Sequence, residues 1–194
     1  MDAQWQRRGF RVFNRLMVLM WRLGLGCWVN AWPKVGGRIL VILHRGRKSG
    51  KLRRTPVNYA LMDGEIYCTA GFGAQSDWYR NLIAHPQAQV WMPNGWWKVQ
   101  AEEVQEPARR LKILRQVLIA SGFAAFAAGI NPYRLDDDTL AHLTKDYRVM
   151  HLRRIAACTG CDGPGDLAWV WPTAVLVLLP VLVWLWGRSR RNHI

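Results

Sequence analysis

The sequence predicts a mainly β domain with helices (α+β), arranged as a small β-barrel with helices packed outside. Two observations carry this prediction: short apolar runs are separated by turn residues, and helical patterns occur midway and late in the chain. The runs that read as strands are residues 38–43, 55–62, 65–70, 87–92, 96–104 and 147–155. Asp63-Gly64 and Pro93-Asn94-Gly95 predict tight hairpin turns. The predicted helices are a short one starting at Asp77, and residues 107–121 and 136–145.

An N-terminal amphipathic helix is predicted over residues 5–32. Its cations fall within an arc of roughly 100° at a helical period, and the rest of its surface is apolar. These cations are Arg7, Arg8, Arg11, Arg15 and Arg22. A basic stripe on an apolar helix is typical of a helix lying in the lipid headgroup plane. The alternative is a helix that packs on the domain and points its arginines at water.

The C-terminal region contains twenty uncharged residues, 167–186, with tryptophans near both ends. This length matches a bilayer core of about 20 helical residues, and arginines follow Gly187. The sequence therefore predicts one C-terminal transmembrane helix. It also predicts location at the cell membrane, with the barrel domain on the cytoplasmic face. A buried core helix is the alternative.

These patterns divide the chain into five segments. They are a basic membrane-interfacial helix at 1–34, a small β-barrel domain at 35–155, a linker at 156–166, a transmembrane helix at 167–187 and a basic tail at 188–194. The linker contains Cys158 and Cys161, which supply at most two metal ligands, so no metal site is predicted. A redox or lipid-attachment role for this pair stays open.

Charge and tryptophan together predict the class of partner. The net charge is +14, and residues 1–53 carry twelve Lys or Arg against Asp2 alone. An anionic partner is therefore expected: nucleic acid, a membrane surface, or a phosphorylated or carboxylated small molecule. Eight of the twelve tryptophans lie in the two terminal segments. Because tryptophan favours membrane–water interfaces, anionic lipid is preferred over nucleic acid.

The segment 45–57, RGRKSGKLRRTPV, places six cations between two predicted strands. Glycines expose backbone N–H groups there, and Arg and Lys add charge, so the turn predicts a phosphate or carboxylate site on a β-hairpin. The spacing is that of neither a nucleotide-triphosphate loop nor a dinucleotide fingerprint. The alternative is a solvated basic turn.

Two motifs together resemble the deazaflavin (coenzyme F-420)-dependent nitroreductase family, in the flavin/deazaflavin oxidoreductase split β-barrel superfamily. The resemblance extends from about Val35 to Arg154. The motif residues are Gly46-Arg47-Lys48-Ser49-Gly50, Arg53 and Pro56, followed by Asp77-Trp78-Tyr79-Arg80-Asn81-Leu82, Ala84 and Pro86.

The resemblance implies a split β-barrel that binds coenzyme F-420, with FMN as the alternative cofactor. Coenzyme F-420 has a deazaflavin ring, a phosphodiester and an oligoglutamate tail, so the cationic turn would neutralise a polyanion. The implied cofactor-binding residues are Arg47, Lys48, Ser49, Gly50, Arg53, Pro56, Ala70, Gly71, Asp77, Trp78, Tyr79 and Asn81. The turn would hold phosphate and tail, and Pro56 with its strand would line the ring pocket.

The resemblance also implies an enzyme, a deazaflavin-dependent oxidoreductase. Tyr79 and Tyr133 are the candidate catalytic residues, and His85 is either a third candidate or a structural helix end. The predicted function is a membrane-associated oxidoreductase that transfers a hydride from reduced F-420 to a lipophilic acceptor such as a quinone. The predicted partners are membrane lipids and a possible second copy in a homodimer. The alternative function is a non-catalytic split barrel that binds lipid, fatty acid, FMN or haem.

Overall fold

The protein is described by a computed structural model covering residues 3–160 and 162–191. Predictions on Cys161 and on residues 192–194 of the basic tail lie outside the described residues. The strands are β1 (Ile39–Arg45), β2 (Leu52–Met62), β3 (Glu65–Ala70), β4 (Gln87–Met92), β5 (Gly95–Glu103) and β6 (Arg148–Ala157). The helices are α1 (Ala3–Arg22), α2 (Gly26–Val29), α3 (Pro33–Gly36), α4 (Asp77–Ala84), α5 (Pro107–Ala120), α6 (Phe123–Ala127), α7 (Asp137–Leu143) and α8 (Val170–Arg191).

The six strands form a closed antiparallel barrel in the order β1-β2-β3-β6-β5-β4. β1 and β2 pair as far as Arg45 opposite Leu52, which leaves residues 46–51 as the cationic turn. The β2–β3 turn has positive φ at Asp63 (53°) and Gly64 (79°), as a type I′ hairpin requires. Both hairpins place their loops at the ends of the barrel.

Alternating side chains divide the core into layers, since successive residues of a strand face opposite sides. Leu40 and Ile42 of β1 face the barrel interior, and Leu82 of α4 joins them there. Helix α5 covers the outer surface of β2, β3 and β6 through Leu114 and Val117. The end of α4 thus closes the barrel beside the cationic turn, and α5 closes its side.

The N-terminal helix is shorter than predicted. α1 ends at Arg22, and Gly24 follows with a φ of 80°, a left-handed conformation that ends the helix. Trp21 is buried and packs with Trp91 of β4 against the outside of the barrel. Two short helices, α2 and α3, continue the segment to Gly36. α1 is therefore attached to the barrel at its C-terminal end.

The predicted C-terminal transmembrane helix is wrong, and the fold class is corrected on this point. The twenty-residue count began at Leu167, but residues 167–169 form turns and α8 begins at Val170. These turns pack on the end of α1, where the N–H of Leu167 donates to the carbonyl of Arg22 at 2.8 Å. Within the part of the chain that the structure describes, no helix is long and apolar enough to cross a bilayer.

The linker and the start of α8 both contact the C-terminal end of α1. Arg22 forms an ion pair with Asp166 at 2.8 Å, and the indole N–H of Trp171 donates to the carbonyl of Leu23 at 2.9 Å. Arg22 was predicted as part of the basic stripe, and it is instead paired with the linker. Arg15 is exposed, and the side chains of the other stripe arginines lie outside the described residues.

Candidate functional site

Helix α4 holds the cationic turn through Arg47. The guanidinium of Arg47 donates to Asp77 and to the side-chain carbonyl of Asn81, both at 3.0 Å. The backbone N–H of Arg47 donates to the same Asn81 oxygen at 3.1 Å. The two motifs that carry the family resemblance are thus in direct contact. The guanidinium of Arg47 is therefore paired within the protein, and it fixes the turn to α4.

A buried histidine continues this network into the barrel. His44, only 2% exposed, contacts the side-chain amide of Asn81 through Nδ1 at 3.2 Å. Its Nε2 contacts the hydroxyl of Thr55 at 3.0 Å. Because the Asn81 oxygen already accepts from Arg47, its NH₂ donates to Nδ1, and Nε2–H therefore donates to Thr55. Burial lowers the pKa of His44 to about 4.

This histidine predicts a pH dependence of stability. Its folded pKa of about 4 lies below the unfolded value of 6.5, so the unfolded chain binds a proton that the folded chain does not between these values. The free energy of unfolding should therefore be highest above pH 6.5 and fall by about 3 kcal/mol towards pH 4. Urea denaturation at both pH values measures this difference. His44→Gln, which keeps a neutral polar group there, should remove this part of the slope; an unchanged slope would contradict the assignment.

The rest of the cationic turn faces solvent. Lys48, Ser49, Gly50, Lys51 and Arg53 are all exposed. The turn is closed by backbone hydrogen bonds from Gly46 to the carbonyl of Lys51 (2.9 Å) and from Gly50 to the carbonyl of Gly46 (2.7 Å). Lys48 and Lys51 on this turn, together with Arg53 at the start of β2, are suited to an external polyanion.

An apolar cavity of about 730 Å³ lies outside β2 and β3. Its walls are the strands, the α5–α6 corner, Tyr147 and the N-terminal helix. The lining residues are Gly9, Phe13, Asn58, Thr69, Gly71, Phe72, Leu118, Ser121, Ala124, Ala125, Ala127, Ala128 and Tyr147. Its volume lies within the range of about 300–1,000 Å³ that is usual for small-molecule sites.

A second cavity of about 900 Å³ lies beside the cationic turn, against β1, β4 and β5. It is more polar than the first. The lining residues are Leu43, His44, Arg45, Gly50, Leu52, His85, Pro86, Gln87, Ala88, Gln89, Lys98, Val99, Gln100 and Ile155. We call these two sites the apolar cavity and the polar cavity.

The predicted cofactor-binding residues divide among these features. Gly71 lines the apolar cavity and Gly50 the polar cavity. Pro56 is half-buried on β2, whereas Ala70 is buried in the barrel interior. Trp78 and Tyr79 line neither cavity; they pack on the barrel interior from α4. The structure therefore brings Arg47, Asp77 and Asn81 together and separates Trp78 and Tyr79 from the cavities.

The two candidate catalytic tyrosines occupy different environments. The hydroxyl of Tyr79 donates to the carboxylate of Glu103 at 2.8 Å, and burial together with this bond raises its pKa. Tyr133 is 66% exposed and stacks on Phe126, with ring centroids 6.5 Å apart. His85 follows α4, and its N–H caps the helix by donating to the carbonyl of Asn81. The catalytic roles of these residues stay predictions.

Sequence reasoning missed Tyr147 and His44. A Cβ at Gly71 would lie 3.7 Å from the ring of Tyr147 and 3.8 Å from its hydroxyl oxygen, so this ring lies against Gly71 in the apolar cavity. Burial raises the pKa of Tyr147. No sequence signal distinguishes it from other strand-end tyrosines. His44 did leave a signal, since it follows Leu40 and Ile42 at period two on the inward face of β1.

Comparison with known proteins decides the family. The model of the F420H(2)-dependent quinone reductase family matches residues 14–131, more than half of the chain. The chain belongs to this family. It is therefore an oxidoreductase with coenzyme F-420 as its cofactor, and the predicted resemblance to F-420-dependent reductases is confirmed.

Solved structures that match the chain include an F420-H2-dependent reductase, FDR-A, at 19% identity and a TM-score of 0.44, covering 60% of this chain and 94% of that one. A conserved hypothetical protein from Mycobacterium tuberculosis, Rv2991, has 19% identity and a TM-score of 0.44, with 70% and 79% covered. No curated protein matches the chain. The family assignment rests on the family match.

The residues around the cavities fit such a cofactor. Strand β2 runs from the polar cavity to the apolar cavity. One of its faces carries Leu52, Arg54, Pro56 and Asn58. The guanidinium of Arg54 lies over the ring of Trp91 at 5.4 Å, and its buried Nε has no hydrogen-bond partner among the described residues. An arginine with one unused donor, between the apolar cavity and the cationic turn, suits a ligand with an apolar ring and a phosphate.

Proposed function

We propose that this member of the quinone reductase family is membrane-associated and transfers a hydride from reduced coenzyme F-420 to a lipophilic acceptor such as a quinone. The observation that carries the proposal is the construction of the apolar cavity. One wall of this cavity is Phe13 of the N-terminal amphipathic helix. The element expected to meet lipid thus also shapes the cavity that an apolar acceptor would enter.

The chain's residues have distinct tasks in this proposal. Lys48, Lys51 and Arg53 would hold the anionic part of the cofactor, on a turn that Arg47 and Asn81 fix. The ring would lie in the apolar cavity against Gly71, where the missing Cβ permits close approach. When bound, the deazaflavin supplies the hydride. The protein binds, orients and excludes water.

Tyr147 is the residue best suited to move a proton. Reduction of a quinone to a quinol requires a proton in addition to the hydride. Tyr147 lines the apolar cavity, and its hydroxyl carries its proton at neutral pH, as an ordinary tyrosine does; burial raises its pKa further. Tyr79 is less suited, because its hydroxyl donates to Glu103 away from both cavities.

The exposed surface of the terminal segments supports docking on a membrane. Val12, Leu16 and Leu19 of α1 follow helical spacing and are 67%, 51% and 44% exposed. Trp28 and Trp32 beyond α1 are 75% and 77% exposed. A cluster of exposed apolar residues rimmed by cations is typical of a helix in the headgroup region.

One experiment tests both parts of the proposal. Purified protein receives reduced F-420 without oxygen, and oxidation is followed by absorbance with two acceptors. One acceptor is a short, water-soluble quinone; the other is a long-chain quinone in anionic lipid vesicles. Leu16→Glu combined with Leu19→Glu should slow reduction of the vesicle-borne quinone by about tenfold or more and leave that of the soluble quinone unchanged.

Leu143→Glu is the matched control, since Leu143 is an exposed leucine of α7, 49% accessible. It should affect neither acceptor. Absence of cofactor oxidation with both quinones would overturn the proposed reaction. Equal rates of the α1 variant and the wild type with vesicle-borne quinone would overturn the docking role of α1.

A further inference from the structure

We infer that the α5–α6 corner is a second membrane-contact element, and that it places the apolar cavity against the bilayer. This inference rests on the membrane association in the proposed function, and it adds to α1 a surface on another part of the fold. The surface consists of exposed apolar side chains from two segments, and we call it the aromatic surface. Its members are Trp32, Val35, Phe123, Phe126 and Tyr133.

The fold holds the rings of the aromatic surface in solvent on a fixed frame. Phe123 and Phe126 are 67% and 45% exposed, although Ala125 between them is buried. The ring of Tyr133 stacks on Phe126, and Arg115 donates to the backbone carbonyl that precedes Tyr133 at 2.7 Å. The exposure of these rings is therefore a property of the folded surface.

The two segments that carry the aromatic surface are in contact. A Cβ at Gly122 would lie 2.7 Å from the carbonyl oxygen of Val35, and Gly122 has a φ of 58°, which glycine adopts readily. The backbone N–H of Arg38 donates to the carbonyl of Ala120 at 2.7 Å. The exposed side chains of α3 and α6 thus lie in one contiguous region of the protein.

The charges around the aromatic surface favour an anionic bilayer. Residues 3–62 and 107–135, which contain it, have no Asp or Glu, and Lys34, Arg38 and Arg134 within them are exposed. Headgroup phosphates complement such cations, and aromatic side chains favour the headgroup level. A second copy of the chain in symmetric contact would instead place the same cations opposite each other. Anionic lipid is therefore the occupant that fits.

Three aspartates follow residue 135 and mark the polar edge of this surface. Asp136 accepts from the backbone N–H of Thr139 at 2.8 Å and caps α7, and Asp137 pairs with Arg115 at 2.7 Å. Asp138 is exposed in the first turn of α7. Two of these carboxylates are thus partnered within the protein, and we expect this edge to remain in water.

The position of the aromatic surface gives it a role in the entry of the acceptor. Ala124 and Ala127 line the apolar cavity, and each follows one of the exposed phenylalanines of α6. Phe13 of α1 lines the same cavity, next to the exposed Val12. A bilayer in contact with α1 and α6 at once would cover the space between them. A lipid-dissolved quinone would then pass into the cavity without crossing water.

The test measures binding of the full chain to vesicles of anionic lipid by flotation. Phe123→Ser combined with Phe126→Ser removes apolar area without changing charge. It should weaken binding by about tenfold or more and slow reduction of the vesicle-borne quinone to a similar extent. Its melting temperature and its rate with the water-soluble quinone should stay near those of the wild type, since neither phenylalanine lines the cavity.

Leu61→Ser combined with Leu143→Ser is the matched control, because both leucines are exposed and line neither cavity. It should bind vesicles as the wild type does. Unchanged vesicle binding by the phenylalanine variant, or a change in its oligomeric state in solution instead, would overturn the inference. An equal loss of rate with both quinones would also overturn it, because the corner would then act on the reaction and not on docking.

The α1 variant, Leu16→Glu with Leu19→Glu, separates this inference from the proposed function. If it bound vesicles as the wild type does and the phenylalanine variant did not, the docking role of α1 would be overturned and the inference supported. The reverse result would overturn the inference alone. A wild type that bound no vesicles would overturn both.

Discussion

Asn81→Leu should lower the free energy of unfolding by about 3 kcal/mol and weaken cofactor binding by at least about tenfold. Asn81 is 2% exposed, accepts two hydrogen bonds from Arg47 and contacts Nδ1 of His44. Leucine has a similar size but would leave the backbone N–H of Arg47 and a ring nitrogen of the buried His44 without partners. Urea denaturation and cofactor titration measure the two effects.

Asp77→Asn is the comparison for this variant. Asp77 also contacts Arg47, but its side chain is 81% exposed, so the ion pair at 3.0 Å is a surface interaction. Its loss should cost less than about 1 kcal/mol. If the two variants lost the same stability and affinity, the buried amide would not be what orients the cationic turn.

Filling the apolar cavity should produce the largest loss of activity. Ala124 of α6 lines this cavity and is otherwise exposed, so a phenyl side chain can enter the cavity without overpacking the core. Ala124→Phe should lower kcat/KM for oxidation of reduced F-420 by about 100-fold, equivalent to about 2.7 kcal/mol. The measurement uses the water-soluble quinone, so that docking on lipid has no part in the result.

Ala108→Phe makes the same chemical change on an exposed alanine of α5 that lines neither cavity. Its kcat/KM and melting temperature should stay near those of the wild type. A full rate for Ala124→Phe would mean that the reaction takes place outside the apolar cavity. A lower melting temperature for this variant alone would instead mean that the core had been disturbed.

The barrel strands were accessible from local pattern. The predicted runs 65–70 and 87–92 coincide with β3 and β4, because a tight turn and a proline punctuate them. The resemblance to F-420-dependent reductases could also be recognised from the sequence, because it depends on two short motifs. These motifs are in contact in the structure, where Arg47 pairs with Asp77, thirty residues later. A strand alternation and a short motif are both properties of neighbouring residues.

One error concerns residues whose neighbours are distant in the chain, and a second concerns a local signal in α1. Counting apolar residues from Leu167 predicted a helix there. In the structure, backbone N–H groups of this segment donate to carbonyls at the end of α1, and residues 167–169 form turns. The predicted helix over 5–32 ignored Gly24, whose left-handed conformation ends α1. Tyr147 gains its candidate role only because α1 and the α5–α6 corner pack outside β2 and β3 and so form the apolar cavity.

Because the backbone N–H of Arg47 donates to Asn81, the cationic turn depends on α4 and cannot be transferred to another protein by itself. A peptide ending before residue 77 would contain every charge of the β1–β2 loop but not the contacts from Asp77 and Asn81 that fix Arg47. Transplanting GRKSG into another β-hairpin should thus transfer a cationic surface that binds anions without selectivity. The recognition element consists of the β1–β2 turn and helix α4, and both must be transferred together.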